Sequence, residues 1–244
     1  MISVGFKTDR GKNRVDNEDS VFVLPDRQIY MVADGVGGHN SGELASRMAV
    51  GYMAQFVALN PLQFINEASA LKNYFLSLFS GANELIYSKS VNEKTNRGMA
   101  TTAVICYLRD GKAYVVNVGD SRCYLVRDGA IMQVTRDHTL VQELQDKGLI
   151  TPEEAENRPD KNMITRALGG EETVNPDFFV FNTYPGDTII LCTDGLYSEV
   201  PDGVMSMMAS SSNAMHKLSA ELVNLANSNG GSDNISVVCI RISE

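Results

Sequence analysis

The chain opens with short stretches in which apolar and polar residues alternate, and then changes period. Runs at 2–7, 20–24 and 28–33 predict three strands divided by turns. Beyond residue 40 the spacing lengthens to four. Leu44, Met48, Tyr52 and Phe56 mark the apolar face of a predicted helix, and Asn40 with Glu43 has the form of a capping box at its start. A second helix is predicted over about 61–91, with Pro61 at a first helical position and a stripe of Phe64, Ala68, Leu71, Phe75, Leu78 and Ala82. Strand character returns at 101–108, 112–118, 122–126 and 130–134. Asp110-Gly111 and Asp128-Gly129 supply hairpin turns within this block. Residues 139–147 read as a short helix, and Thr151-Pro152-Glu153-Glu154 as the start of another, with cap, proline and acidic first turn. Strands follow at 176–181 and 188–193, then helices at about 201–209 and 212–227. The last helix carries Met215, Leu218, Leu222 and Leu225 on one face, and a strand at 234–242 closes the pattern.

Strands gather in blocks and helices in pairs, with no regular alternation of the two. That predicts an α+β fold. Two mostly antiparallel sheets, stacked and covered by helix pairs on both outer faces, would make a four-layer α/β/β/α sandwich, expected as a single domain over 1–244. With 43% hydrophobic residues, 244 residues suffice for one large core or at most two small ones. No run reaches the ~18 apolar residues of a membrane span, and the N-terminal stretch lacks a signal-peptide pattern. A soluble, unexported protein is expected.

Composition narrows the chemistry. A formal charge of -9 and a pI near 4.9 argue against nucleic acid, which needs a basic face. Cys106, Cys123, Cys192 and Cys239 sit in apolar, strand-like runs without a C-x-x-C pair, so buried reduced thiols and a cytoplasmic compartment are expected. His39, His138 and His216 are too scattered for a zinc site. Carboxylates are placed more pointedly. The apolar run 29–33 leads into Asp34-Gly35, and 188–193 leads into Asp194-Gly195. Asp233-Asn234 immediately precedes the run 235–240. One Asp-Gly is an ordinary turn dipeptide. Three aspartates at strand ends, with Asn17-Glu18-Asp19 ahead of the first, suggest a site for hard divalent cations.

Taken in order, the polar motifs resemble those of the PPM family of metal-dependent Ser/Thr protein phosphatases, in its compact bacterial form. They start with the stretch from Thr8-Asp9-Arg10 to Asn17-Glu18-Asp19 and continue through Asp34-Gly35-Val36-Gly37-Gly38-His39. Gly98-Met99-Ala100-Thr101-Thr102, then Asn117-Val118-Gly119-Asp120-Ser121-Arg122 and Asp137-His138-Thr139, follow. Thr165-Arg166-Ala167-Leu168-Gly169, Thr193-Asp194-Gly195-Leu196 and Gly231-Ser232-Asp233-Asn234 complete the series. Any one is weak, but eight in order leave little room for chance. The resemblance implies the same sandwich, and hydrolysis of phosphoserine and phosphothreonine in proteins. A water or hydroxide bridging two Mn²⁺ or Mg²⁺ ions would attack phosphorus in line.

The resemblance also assigns residues. Asp34 would bridge the two ions, joined by the Gly35 carbonyl. Asp194 and Asp233 would complete one shell, Glu18 would support the other, and Asp19 would orient a coordinated water. Arg14 would grip the substrate phosphate through its planar fork. Asp120 would help hold a third, weaker ion. Eukaryotic members often carry a histidine directly after the Asp-Gly, where this chain has Val36, which cannot donate a proton. His39 is expected to be structural or to support the site from behind its ligands, His138 to fix a turn beside the site, and His216 to lie on the surface of the last helix. Residues 139–162 correspond to a variable flap, expected to choose protein substrates. A bacterial Ser/Thr kinase is the implied opposing partner, phosphoproteins the substrates, and a monomer the expected state. Two other readings are a binding module that has lost its metal ligands, which the retained Asp34, Asp194 and Asp233 disfavour, and a hydrolase of phosphodiesters, which usually draws on more histidines.

Overall fold

A computed structural model describes residues 2–37, 41–62, 65 and 67–243. Two antiparallel sheets stack face to face. The first has the order β1 (Ile2–Asp9), β11 (Ile235–Ile242), β10 (Thr188–Cys192), β7 (Arg122–Arg127), β8 (Ala130–Gln133). The second runs β2 (Asp19–Leu24), β3 (Ile29–Val36), β5 (Ala103–Arg109), β6 (Lys112–Val118), β9 (Asp177–Asn182), with the short β4 (Ala100–Thr101) also paired to β3. Helices α1 (Ser41–Leu59) and α2 (Ala68–Asn92) cover the second sheet. Helices α6 (Asp202–Ser211) and α7 (Met215–Asn229) cover the first. The expected four layers are therefore present, with one apolar cluster between the sheets and one under each helix pair.

Alternation explains the middle layer. Tyr30, Val32, Val104 and Cys106 point into the space between the sheets, while Met31, Ala33, Ala103 and Ile105 point out under α1 and α2. Both hairpin turns form as expected. Asp110 and Gly111, and Asp128 and Gly129, all take positive φ, the requirement of the type I′ turn that matches strand twist. All four cysteines are free and buried.

Two helical expectations change. The face of α1 that meets the sheet is Ala45, Ala49, Met53 and Val57, one position beyond the expected stripe. Leu44, Met48, Tyr52 and Phe56 flank that face and are only partly buried. Small residues let the helix axis approach the sheet, and Tyr52 reaches over Gly81 of α2, where any Cβ would meet its hydroxyl. Leu62, Ile65 and Glu67 lie before α2 rather than in it. Arg109 donates to the carbonyls of Leu62 and Ile65, and Tyr74 Oη donates to Asn60 O at 2.8 Å. Those carbonyls are thus used by side chains, and the helix begins at Ala68. Asn40 and Phe64, named in the two helix expectations, lie outside the described residues.

Candidate active site

Every predicted site residue emerges at one end of the sandwich. β1 ends there and leads into the loop carrying Arg14. β2 starts there at Asp19, just after Glu18. β3 delivers Asp34 and Gly35, and β10 ends two residues before Asp194. Asp233 sits two residues ahead of β11. The chain crosses between sheets at the same end, through Gly119-Asp120-Ser121 between β6 and β7. Asp34 is not in a turn, as expected, but inside β3, directly opposite Asp19 of β2. Asp194 opens a four-residue helix, α5 (Asp194–Tyr197), that the sequence pattern does not signal.

The frame around these groups is hydrogen-bonded in detail. Asp34 N donates to Thr102 Oγ1 at 2.9 Å, and its carbonyl accepts from Thr101 Oγ1 and Thr102 N, both at 2.8 Å. Thr193 Oγ1 donates to Asp19 Oδ2 at 2.9 Å and accepts from Ser236 N at 2.9 Å. Asn234 ties three distant backbone groups together. Its Oδ1 accepts from Glu18 N at 2.8 Å, and its Nδ2 donates to Arg10 O at 2.8 Å and Asp16 O at 2.9 Å. The loop carrying Arg14 and Glu18 is thereby pinned to the start of β11. His138 holds the Asp120 turn as expected: its Nδ1 accepts from Gly119 N at 3.1 Å, and its own N–H donates to Gly119 O at 3.1 Å. His216 is exposed on α7, and His39 lies outside the described residues.

The side chains meet around a cavity of about 270 Å³, lined by Arg14, Glu18, Asp34, Gly35, Asp120, Asp194 and Asp233, with Val36, Gly37, Asn162, Ile164 and Asn234 completing the wall. The arrangement is electrostatically costly without a counter-charge. Burial, and then repulsion from Asp19, Asp194, Asp120 and Asp233, hold the Asp34 carboxyl well above the usual carboxylate range. Burial pushes Asp19 up to about 7 and Asp120 up to about 8, in both with Asp194 adding repulsion. Burial, then Asp233, raises Asp194. Burial raises Glu18, partly offset by Arg14.

Three observations fit divalent cations. Asp19 Oδ1 and Asp194 Oδ1 are buried with no hydrogen-bond partner, oxygens that a cation or its waters would satisfy. A Cβ at Gly42, in the first turn of α1, would lie 2.8 Å from both the Glu18 carboxyl carbon and Gly35 O. That glycine leaves free the place where these two oxygens converge. Finally, the donors are all hard oxygens, which suit Mg²⁺ or Mn²⁺. Among the described residues no three His, Cys, Asp or Glu side chains form a ready chelate. One or two carboxylates per ion, with water filling the shell, is the style of a small cation that dehydrates reluctantly.

Among the described residues Arg14 is the one cation in the lining of this cavity. It is exposed, and its guanidinium donates to Asp233 Oδ2 at 2.6 Å. The flap comprises α3 (Leu140–Asp146), capped by Thr139, and α4 (Pro152–Glu156), which starts at the expected Thr151 cap and closes a capping box between Thr151 and Glu154. Its distal end brings Asn162 to the cavity, and Ile164 just beyond it. Sequence reasoning did not single out Asn162, or the clamp role of Asn234, whose partners are more than 200 positions away.

The family model for protein phosphatase 2C matches residues 8–236. The serine/threonine phosphatase stp of Listeria innocua is 38% identical over 238 residues, covering 96% of this chain and 94% of that protein. Among solved structures, the Streptococcus agalactiae serine/threonine phosphatase superposes with a TM-score of 0.94 at 30% identity, over the full length of both chains. The catalytic domain of the serine/threonine protein phosphatase PstP, solved in complex with two manganese ions, superposes with a TM-score of 0.85 at 33% identity, covering 100% of this chain and 99% of that one.

Proposed function

Because the chain belongs to the protein phosphatase 2C family, we propose that its carboxylate cavity removes phosphate from phosphoserine and phosphothreonine in proteins with the help of two Mn²⁺ or Mg²⁺ ions. The observation that carries this reading is the convergence of Asp34, Asp194, Asp233 and Glu18 on one cavity, with buried carboxylate oxygens left unpartnered. Asp34 and the Gly35 carbonyl, with Asp194, Asp233 and Glu18, would hold the two ions, and Asp120 would help to hold a third. When bound, the ions neutralise the phosphoryl oxygens and lower the pKa of a shared water.

The chain's own residues do the rest. Arg14, on the rim, grips the phosphoryl oxygens and orients the ester for in-line attack. Asp19 accepts from Thr193 through one oxygen and offers the other to a water in the cavity. Asp34 is fixed by Thr101 and Thr102 on both sides of its peptide, so its carboxylate geometry is set before substrate arrives. Val36 offers no proton at the position after Asp34-Gly35, so the leaving alkoxide must take its proton from another donor. The same reading makes the protein the partner of a Ser/Thr kinase in a cytoplasmic setting, acting as a monomer. Among the described residues no helix is long and apolar enough to cross a membrane.

The test is hydrolysis of p-nitrophenyl phosphate by metal-stripped protein, with Mn²⁺ or Mg²⁺ restored, beside Asp194→Asn. Turnover that metal restores and the variant lacks, by about a thousandfold or more on the scale of lost electrostatic catalysis, supports the reading. No turnover with either metal, in protein shown to be folded, would replace it with a binding module that keeps its ligands for structure.

A further inference from the structure

A larger groove of about 580 Å³ adjoins the carboxylate cavity, and the two share Val36 and Ile164 as walls. The carboxylate cavity is lined mostly by charged and polar groups, so it suits a phosphoryl group and offers little to the chain that bears it. The groove differs in character. Val36, Ile164 and Val174 give it an apolar side, and Glu171 stands exposed at its edge.

Its floor is built in place. Thr101 and Leu168 exchange backbone hydrogen bonds at 3.0 and 2.8 Å. Asn83 of α2, almost wholly buried, accepts from Gly169 N at 2.8 Å and donates to the carbonyls of Glu171 and Glu172, both at 3.1 Å. Gly169 has φ +85, and a Cβ there would strike Ile86. The basic group in the groove is already engaged. Arg166 contacts Asp177 Oδ1 and His138 Nε2, both at 3.2 Å. Glu171 has no ion-pair partner among the described residues, so the rim favours positive charge.

We propose that this groove receives the part of the phosphoprotein next to the phosphorylated residue. It selects an apolar side chain beside the phosphoserine or phosphothreonine, and a basic one further out, opposite Glu171. An extended chain covers about 3.3–3.6 Å per residue, so a groove adjoining the cavity meets the residues that immediately flank the phosphate. The inference rests on the phosphatase reading and adds a sequence preference to it. Continuity with the cavity and charge complementarity at the rim carry it.

The experiment compares synthetic phosphothreonine peptides that differ only in those flanking positions, with leucine against alanine near the phosphate and arginine against glutamate further out. Each is assayed with wild type, Glu171→Lys and Val174→Thr. p-Nitrophenyl phosphate, which has no flanking residues, serves as control. Wild type should favour arginine over glutamate by about fivefold in kcat/KM, the scale of one partly exposed ion pair, and the difference should lie in KM. Glu171→Lys should abolish or invert that ranking, Val174→Thr should weaken the leucine preference, and aryl-phosphate turnover should be unchanged in both. Aryl-phosphate turnover with peptide rankings unmoved by either variant overturns the groove and leaves the phosphatase reading standing. Absence of metal-dependent aryl-phosphate turnover in folded wild type overturns both.

Discussion

Asp19 and Asp34 sit directly opposite each other on neighbouring strands, an arrangement that costs stability unless something offsets it. Such a pair has little structural use, and it fits the ion-binding role proposed for Asp34, Asp194 and Asp233. These aspartates were legible because each interrupts an apolar run at a fixed place. The residues that aim them were not legible: Asn234, Thr102 and Ser46 act on partners remote in sequence. Ser46, buried on α1, donates to Glu18 O at 2.6 Å. Asn234→Ala would leave the Glu18 N–H and two carbonyls without their partner. We expect a loss of about 1–3 kcal/mol per group left unsatisfied and buried, partly relieved by water, read as a lower denaturant midpoint. Weaker Mn²⁺ binding by calorimetry should accompany it. Arg14→Lys keeps the charge and removes the fork. Its kcat/KM on an aryl phosphate should fall by about ten- to a hundredfold, as expected for a lost hydrogen bond to a charged group. An unchanged value would remove Arg14 from phosphate binding.

At the scale of elements, the hairpins and the flap helices follow from local chemistry. Type I′ turns need Asp-Gly, and α4 needs its capping box. What local pattern misjudges is which face of α1 lies on the sheet, because the larger side chains flank the contact and the small ones make it. Ala49→Leu should therefore destabilise by about 1–3 kcal/mol through overpacking, whereas Met48→Ala on the flank should cost less. Equal losses in denaturant melts would contradict this packing. The start of α2 is misread for another reason: Arg109, more than forty positions away, takes the carbonyls that a helix would use. The flap gives a kinetic prediction. Replacing residues 142–160 by a short Gly-Ser linker should change phosphopeptide turnover more than aryl-phosphate turnover. Equal losses on both would make the flap a structural part of the site.

For the whole molecule, the clustered carboxylates couple stability to pH and to metal. Glu18, Asp19, Asp34, Asp120 and Asp194 are all raised in the fold, Asp19 to about 7 and Asp120 to about 8. Acids raised by folding bind more protons folded than unfolded, so their contribution is fully present below about pH 4, the ordinary carboxylate value. It is lost as pH rises toward 8. Metal-stripped protein should thus melt at progressively lower temperature between pH 5 and 8. Mn²⁺ displaces those protons, so the rise in melting temperature it gives should grow over the same range. A melting temperature independent of pH in the stripped protein would show that the cluster is not under strain.

The pairing of β1 with β11 places Ile2 beside Ile242, and the cavity draws on residues from Arg14 to Asp233. On a ribosome, β2, β3, β5, β6 and β9 have all emerged by residue 182 and can begin to pair, while β1 must wait for a partner made some two hundred residues later. Contacts of such long sequence separation form slowly. The carboxylate cavity is therefore complete only once β11 has been made, and a nascent chain released before Asp233 lacks one of its walls.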